Sequence, residues 1–354
     1  KPWSAQRPPR HPKTKNVSLL GIKPEQEPKT MKKTVLAFSR ITPAMIERLQ
    51  QEFDVIVPNP KAGDINAQFN EALPHAHGLI GVGRKLGKAQ LETAAKLEVV
   101  SSVSVGYDNY DLDYFNERGI MLTNTPDVLT ESTADLAFTL IMSSARRVAE
   151  LDAWTKAGQW QASVGAPLFG CDVHGKTLGI VGMGNIGAAI ARRGHLGFNM
   201  PIIYSGNSRK TDLEQQLGAQ FRSLDQLLAE ADFVCLVVPL SDKTRHLISH
   251  RELALMKPSA FLVNISRGPV VDEPALIEAL QNNRIRGAGL DVYEKEPLAE
   301  SPLFQLKNAV TLPHIGSATN ETREAMANRA LANLRSALLG QRPQDLVNPQ
   351  VWKG

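Results

Sequence analysis

The sequence has 354 residues, of which 42% are hydrophobic and 21% are charged, a balance typical of a soluble globular protein with room for two domains. No apolar run approaches the roughly 20 residues that a membrane span requires. Residues 1–30 carry seven Lys and Arg against two Glu, so the net charge of +4 becomes −1 for the rest, which gives no argument for binding nucleic acid.

Residues 1–30 are rich in Pro, Lys and Arg and lack the apolar core of a secretory signal. We expect them to form a disordered extension ahead of an ordered fold that begins near Met31. The two cysteines, Cys171 and Cys235, predict neither a disulfide framework nor a metal site. Such sparing use of cysteine favours a reducing cytoplasm.

From Met31 onward, strand-like and helix-like segments alternate. The predicted strands of this first unit are Thr34–Phe38, Asp54–Val57, Gly78–Gly81, Glu98–Ser104 and Ile120–Asn124. The predicted helices are Pro43–Glu52, Ile65–Ala72, Lys88–Lys96 and Leu112–Arg118. Such alternation predicts parallel pairing in a doubly wound sheet. A long helical pattern from Ser132 to about Lys156 follows and suits a connection between domains.

The second unit repeats the alternation. Its predicted strands are Thr177–Val181, Ile202–Tyr204, Phe233–Val238, Ala260–Ile265, Gly287–Leu290 and Ala309–Leu312. Its predicted helices are Leu213–Gln216, Leu224–Ala229, Glu252–Met256 and Pro274–Asn282, and a last helix spans Thr319 to Leu339. A single helix cannot form a third domain, so it must pack on one of the two units. The sequence therefore predicts an α/β protein with two doubly wound parallel-sheet domains.

The segment LGIVGMGNIG, residues 178–187, opens the second unit with a glycine fingerprint between a strand and a helix. Gly182 allows the tight turn, Gly184 lets the backbone approach a pyrophosphate, and Gly187 lets the helix pack close to the strand. With Asn185 and Ile186, these glycines predict a dinucleotide site at the helix N-terminus. The alternative is a glycine-rich turn that binds nothing.

The turn after strand Ile202–Tyr204 bears on which dinucleotide binds. An NAD-binding fold places Asp or Glu here to accept hydrogen bonds from the ribose hydroxyls. This sequence instead has hydroxyl, amide and cationic groups without a carboxylate, at Ser205, Asn207, Ser208, Arg209 and Lys210. We predict NADP(H) as the preferred cofactor and NAD(H) as the second one. The alternative is a solvated basic turn.

Four chemically active residues follow strands of the second unit. Arg267 follows Ala260–Ile265, Asp291 and Glu296 follow Gly287–Leu290, and His314 follows Ala309–Leu312. The carboxyl ends of parallel strands share one edge of the sheet, so all four should face one crevice. An arginine fork can hold a carboxylate and polarise a keto oxygen, and an imidazolium beside a carboxylate can deliver a proton. The set predicts hydride transfer to a 2-keto acid.

The blocks SRGPVVDE, GLDVYEKEP and LPHIGSAT after the glycine fingerprint resemble the D-isomer-specific 2-hydroxyacid dehydrogenases. The resemblance runs from about Met31 to the C-terminus. The motifs SVGYDN, TPDVLTESTADLA and HIGSAT are similar to the bacterial glyoxylate/hydroxypyruvate reductases within that family, also called 2-ketogluconate reductases. This implies reduction of glyoxylate, hydroxypyruvate or 2-ketogluconate to D-2-hydroxy acids. Together with the turn after Tyr204, it predicts an NADPH-dependent reductase, and the sequence predicts no metal, membrane or nucleic acid as a partner.

The resemblance implies roles for single residues. Arg267 would anchor the substrate with the backbone N–H groups of Val105 and Gly106, His314 would be the acid/base, and Glu296 its partner. Further positions are implied to touch the cofactor, namely Thr133, Val238, Pro239, Thr244, Ile265, Asp291 and Gly316.

The resemblance also implies an architecture. A flavodoxin-like substrate domain would combine residues 31–128 and 315–354, and a Rossmann-type coenzyme domain would span residues 129–314. The protein would be a homodimer through an arm around residues 130–175. A second function remains open, because some members of this family act as nucleotide-sensing corepressors. Turnover of glyoxylate with NADPH would separate the two.

Overall fold

The structure, a computed structural model, describes residues 32–354, so the predicted disordered extension over residues 1–30 lies outside the described residues. Two parallel β-sheets flanked by helices make up this part of the chain. The two sheets confirm the predicted α/β class.

Five parallel strands form the first sheet. They are β1 (Thr34–Ala37), β2 (Asp54–Ile56), β3 (Gly78–Gly81), β4 (Val99–Ser102) and β5 (Met121–Thr123), in the spatial order β2-β1-β3-β4-β5. The connecting helices are α1 (Pro43–Gln50), α2 (Ile65–Ala72), α3 (Lys88–Leu91) and α4 (Leu112–Arg118). This strand order is the flavodoxin-like form of a doubly wound sheet, as predicted.

Seven parallel strands form the second sheet. They are β6 (Leu178–Val181), β7 (Ile202–Ser205), β8 (Gln220–Phe221), β9 (Phe233–Leu236), β10 (Phe261–Asn264), β11 (Gly287–Leu290) and β12 (Ala309–Thr311). Their spatial order is β12-β11-β10-β9-β6-β7-β8. The chain runs outward from β6 in one direction and from β9 in the other. The strands β6 and β9 are neighbours, and the crevice at their carboxyl ends is the switch point at which open α/β sheets bind ligands.

The helices of the second half cover both faces of this sheet. They are α5 (Thr130–Arg146), α6 (Val148–Lys156), α7 (Asn185–Arg192), α8 (Thr211–Leu217), α9 (Leu224–Glu230), α10 (His250–Leu255) and α11 (Glu273–Gln281). Apolar side chains of α5 and α7 pack on one face, and those of α9, α10 and α11 pack on the other. Because both faces are buried, the strands read as short continuous apolar runs, which is why the sequence predicted them.

The last helix, α12 (Asn320–Leu338), returns to the first sheet. Its residues Met326, Leu334 and Leu338 share a buried core with Val35 and Val99. The absence of a side chain on Gly78 makes room for it, because a Cβ there would lie 2.8 Å from Leu334 Cδ1. A discontinuous first domain requires this packing. The domain boundaries at 31–128, 129–314 and 315–354 stay a prediction.

The long helix predicted from Ser132 to Lys156 is wrong in one respect, because it is two helices. Arg147 adopts a left-handed conformation with φ of 56° and ends α5 before α6 begins. Its guanidinium secures the break by donating to both carboxylate oxygens of Glu150, each at 2.8 Å, and to the Pro167 carbonyl at 2.6 Å. Helix α3 is also shorter than predicted, ending at Leu91 instead of Lys96.

Across residues 32–354, no helix combines the length and the apolar character needed to cross a bilayer.

Candidate active site

The carboxyl ends of both sheets open onto one cleft with a volume of about 570 Å³. Loops of the first sheet contribute Arg40 and the segment 104–108 to its lining. The second sheet contributes Val238, Arg267 and His314. Residues far apart in the sequence therefore meet where the topology predicts a ligand.

The glycine turn after β6 has the geometry that the fingerprint predicted. Gly182 has φ of +101°, and a Cβ on it would lie 2.6 Å from the Val237 carbonyl oxygen at the end of β9. A Cβ on Gly187 would collide with the Gly182 carbonyl, whereas one on Gly184 would meet no atom within 4 Å. The first and third glycines are thus needed for packing, and the second leaves open space beside the N-terminus of α7. That space and the free N–H groups of the helix fit a pyrophosphate.

Helix α8 supplies the turn after β7 with a carboxylate partner, Glu214, that the sequence did not indicate. Arg209 donates to Glu214 through Nε at 3.0 Å and Nη2 at 2.6 Å, and the Tyr204 hydroxyl donates to the same carboxylate at 2.6 Å. The hydrogen bond from Arg209, followed by that from Tyr204, holds the pKa of Glu214 below its usual value. One edge of the exposed Arg209 guanidinium is therefore already occupied. Ser205, Asn207 and Ser208 line the same turn.

His314 and Glu296 form a hydrogen-bonded pair at the cleft. His314 Nδ1 lies 2.6 Å from Glu296 Oε2, and Glu296 Oε1 accepts the Tyr293 backbone N–H at 3.0 Å. Burial alone would raise the pKa of Glu296, but the hydrogen bonds from His314 and Tyr293 and the charges of His314 and Arg267 hold that pKa below its usual value. The pair leaves Nε2 of His314 available to a substrate.

A buried carboxylate holds the backbone around His314. Asp291 accepts hydrogen bonds from the N–H groups of Ile315 at 2.7 Å and Gly316 at 2.8 Å. His314 itself has φ of 53°, a left-handed conformation that costs a non-glycine residue roughly 1–2 kcal/mol. Burial raises the pKa of Asp291, and its two N–H donors oppose that rise. The Asp291 carboxylate thus compensates for the strained backbone at His314.

Arg267 joins the two sheets across the cleft. Its Nε donates to Asp108 at 3.0 Å, and its Nη1 donates to the Ser266 carbonyl at 2.9 Å. The guanidinium lies so close to Gly106 that a Cβ there would collide with Nη2. Asp108 was not among the predicted residues. Its place two residues after Gly106 was visible in the sequence, but its partner 159 positions away was not.

The other predicted positions divide into two groups. Some line the cleft, namely Val105, Gly106, Thr133, Ile186, Val238, Pro239, Ile265, Asp291 and Gly316. Others support it from outside, as when Thr244 donates to the Pro239 carbonyl at 2.6 Å, and Asn185 donates to Asp127 at 2.6 Å. Thr133 also donates to the Gly316 carbonyl at 3.2 Å.

The cleft combines a turn that fits a pyrophosphate, a fixed guanidinium and an imidazole that can pass a proton. Hydride exchange with a carbonyl compound is the chemistry that these groups suit, so the fold and the cleft define an NAD(P)-dependent dehydrogenase. Within residues 32–354, no cluster of His, Cys, Asp or Glu is arranged to hold a metal ion.

Comparison with known proteins gives the family. Residues 138–316 match the model of the family described as D-isomer specific 2-hydroxyacid dehydrogenase, NAD binding domain. A glyoxylate/hydroxypyruvate reductase B from Serratia proteamaculans is 49% identical over 324 residues, which cover 91% of this chain and 100% of that protein. A protein of the same name from Yersinia enterocolitica is 50% identical over 322 residues, covering 91% and 99%.

Two solved structures extend the likeness. An NADPH-dependent glyoxylate/hydroxypyruvate reductase from Sinorhizobium meliloti, in complex with NADP and malonate, is 32% identical with a TM-score of 0.79, covering 89% of this chain and 97% of that one. A glyoxylate reductase from Paecilomyes thermophila is 33% identical with a TM-score of 0.81, covering 90% and 99%. The chain belongs to the D-isomer specific 2-hydroxyacid dehydrogenase family, which confirms the resemblance seen in the sequence.

Gly106→Ala tests whether the position of the Arg267 guanidinium governs activity. The added methyl collides with the end of the Arg267 side chain and not with backbone, so the fold should survive while the guanidinium shifts. A misplacement of about 1 Å can cost ~100-fold, and we expect kcat/KM for keto-acid reduction to fall on that order. The matched control is Gly197→Ala, whose Cβ meets no atom within 4 Å. Wild-type kcat/KM in a folded Gly106→Ala protein would contradict the anchoring role of Arg267.

Proposed function

We propose that the protein is an NADPH-dependent reductase of small 2-keto acids. Glyoxylate and hydroxypyruvate are its substrates, 2-ketogluconate is a further one, and D-2-hydroxy acids are the products. The observation that carries this proposal is the His314–Glu296 pair in the same cleft as Arg267, next to the glycine turn. The names of the relatives at about half identity support glyoxylate and hydroxypyruvate as substrates.

Each residue of the pair and the anchor has a separate task. Arg267, with the backbone N–H groups of Val105 and Gly106, binds the substrate carboxylate and polarises the keto oxygen. His314 donates a proton to that oxygen as it becomes a hydroxyl. Glu296 orients the imidazole through Nδ1 and favours its charged form. Bound NADPH supplies the hydride.

The preference for NADPH is supported by the turn after β7. Ser205, Asn207 and Ser208 offer hydrogen-bond groups, and Lys210 and Arg209 offer positive charge. Glu214 neutralises part of Arg209, so the preference should be moderate. The free edge of the Arg209 guanidinium is what a 2′-phosphate would meet.

Steady-state kinetics with glyoxylate and hydroxypyruvate, each with NADPH and NADH, test this proposal. We expect turnover with both acids and a higher kcat/KM for NADPH. In Arg209→Ala the NADPH-to-NADH ratio should fall by roughly three- to tenfold, because an exposed and partly neutralised cation is screened by solvent. Arg222→Ala, which removes another surface arginine of the same sheet, should leave the ratio unchanged. Tight NADPH binding without turnover of any 2-keto acid would instead favour the corepressor function.

Glu296→Gln tests the pairing through the pH profile of keto-acid reduction. Reduction requires the imidazolium, and the carboxylate that favours it is removed, so the basic limb of kcat/KM should move to lower pH. In the wild type the pair should persist to a pH below the usual pKa of a glutamic acid, since the hydrogen bonds from His314 and Tyr293 hold the pKa of Glu296 below that value. Basic limbs that coincide in wild type and variant would remove Glu296 from its role.

The exposed arm supports a homodimer. Helix α6 buries none of its residues, and large apolar side chains stay exposed nearby, with Trp160 62%, Phe169 59% and Leu196 74% accessible. An apolar patch of this kind in a folded chain marks an interaction surface, and a second copy of the chain is the partner we propose.

The two free cysteines, Cys171 and Cys235, support a cytoplasmic location.

Phe169→Lys should weaken that dimer. Analytical ultracentrifugation should show twice the chain mass for the wild type and a shift toward monomer for the variant. Val57→Lys serves as the control, because Val57 is a comparably exposed apolar residue beside β2, outside the arm. A wild-type protein that sediments as a monomer at micromolar concentration would refute the homodimer.

A further inference from the structure

Arg40 stands out among the charged residues that line the cleft. Arg267 is paired with Asp108, His314 with Glu296, and Asp291 accepts two backbone N–H groups. Arg40 lines the same cleft, and among residues 32–354 it has neither a hydrogen-bond acceptor nor an ion-pair partner. An arginine without an acceptor at a ligand cleft is available to the ligand.

The backbone around Arg40 is held in an unusual conformation. Its φ is 55°, in the left-handed region that costs a non-glycine residue roughly 1–2 kcal/mol. The loop is fixed on both sides of it. The Ser39 hydroxyl donates to the Val82 carbonyl at 2.6 Å and accepts the Val82 N–H at 2.8 Å, and Thr42 caps the start of α1. Strain maintained in this way is found where a side chain has to be placed for a ligand.

The electrostatic surroundings of Arg40 favour an acceptor. Burial and the neighbouring Arg323 charge lower the pKa of Arg40 to about 10, so it remains protonated at neutral pH. Arg323 itself donates to the Ser317 carbonyl at 2.9 Å, and Ser317 lines the cleft. Arg40 and Arg323 are neighbouring cations, and within residues 32–354 neither forms an ion pair with a carboxylate. Their repulsion is an electrostatic cost that an incoming oxygen acceptor would reduce.

We propose that Arg40 is a specificity-determining residue that binds an oxygen substituent on the carbon next to the keto group, either a hydroxyl or a second carboxylate. This inference rests on the proposed 2-keto acid reductase function and deepens it. The aldehyde carbon of glyoxylate carries only a hydrogen in place of this substituent, so glyoxylate offers Arg40 no acceptor there. Hydroxypyruvate has a hydroxyl there, and pyruvate has only hydrogen. Arg40 thus selects the longer, oxygen-bearing acids.

The ratio of kcat/KM for hydroxypyruvate to that for pyruvate is the measurement, because these acids differ only by the hydroxyl. We expect Arg40→Met to lower this ratio by about tenfold, the effect of losing one hydrogen bond from a charged donor. Oxaloacetate carries a second carboxylate. If the carboxylate is the preferred acceptor, the ratio of kcat/KM for oxaloacetate to that for pyruvate should fall at least as much in Arg40→Met. Arg40→Lys should recover part of the ratio.

Arg48→Met is the matched control, since Arg48 is an exposed arginine of α1 that pairs with Asn328. Arg40→Asn provides a second variant, because Asn accepts the left-handed conformation and is too short to replace the guanidinium. An unchanged hydroxypyruvate-to-pyruvate ratio in both folded Arg40 variants would overturn the inference. An equal fall in Arg48→Met would do the same.

Failure of the inference can be told apart from failure of the proposed function. Wild-type turnover of glyoxylate with an unchanged ratio in the Arg40 variants refutes only the role of Arg40. If wild type reduces no 2-keto acid, calorimetric binding of D-glycerate and D-lactate to the NADPH complex answers the same question. D-glycerate and D-lactate differ by the same hydroxyl. They cannot react in the NADPH complex, because both the hydroxy acid and the cofactor are already reduced. Loss of the D-glycerate preference in Arg40→Met would still support the role, and its retention would refute it.

Discussion

The buried carboxylate of Asp291 is the constraint on which the arrangement of the cleft depends. It directly follows β11 and accepts hydrogen bonds from the N–H groups of the two residues that follow His314. Charge-assisted hydrogen bonds of this kind are about twice as strong as neutral ones, and burial keeps water from competing for the carboxylate. They can therefore hold His314 in a left-handed conformation that its own backbone disfavours. Without these hydrogen bonds, the loop after β12 would not be held in the conformation that places the His314 imidazole next to Glu296.

The same interaction links His314 to the dinucleotide site. Gly316, fixed by Asp291, also accepts the Thr133 hydroxyl at the start of α5, and α5 packs on the second sheet beside α7. The loop that carries His314 is thus tied to the helix layer that follows the glycine turn. Movement of one group relative to the other would break hydrogen bonds in a buried region, which costs about 1–3 kcal/mol for each polar group left unpaired. The packing therefore fixes the position of His314.

Much of the fold was visible in the sequence because its signals are local. Buried parallel strands read as apolar runs, and the glycines at 182 and 187 are required by contacts within a few residues or at the neighbouring strand. The break at Arg147 was not predictable, because a left-handed arginine leaves no mark in a helical pattern. The contacts of Glu214 and Asp108 were not predictable for a different reason. Their partners are chosen by tertiary packing, and nothing near Asp108 in the sequence indicates an arginine 159 positions away.

The pairing of Arg267 limits how a carboxylate can bind to it. A guanidinium has five N–H groups, and here Nε donates to Asp108 while one N–H of Nη1 donates to the Ser266 carbonyl. A substrate carboxylate can therefore form the two-pronged interaction only at the Nη1–Nη2 end, unless it displaces Asp108. Because Asp108 offsets part of the charge of Arg267, further attraction for an anion must come from other groups. In the binding mode proposed above, the N–H groups of Val105 and Gly106 supply part of it. Arg40, whose charge is not cancelled by a carboxylate, supplies the rest, and so the cleft attracts an acid although its anchor is already paired.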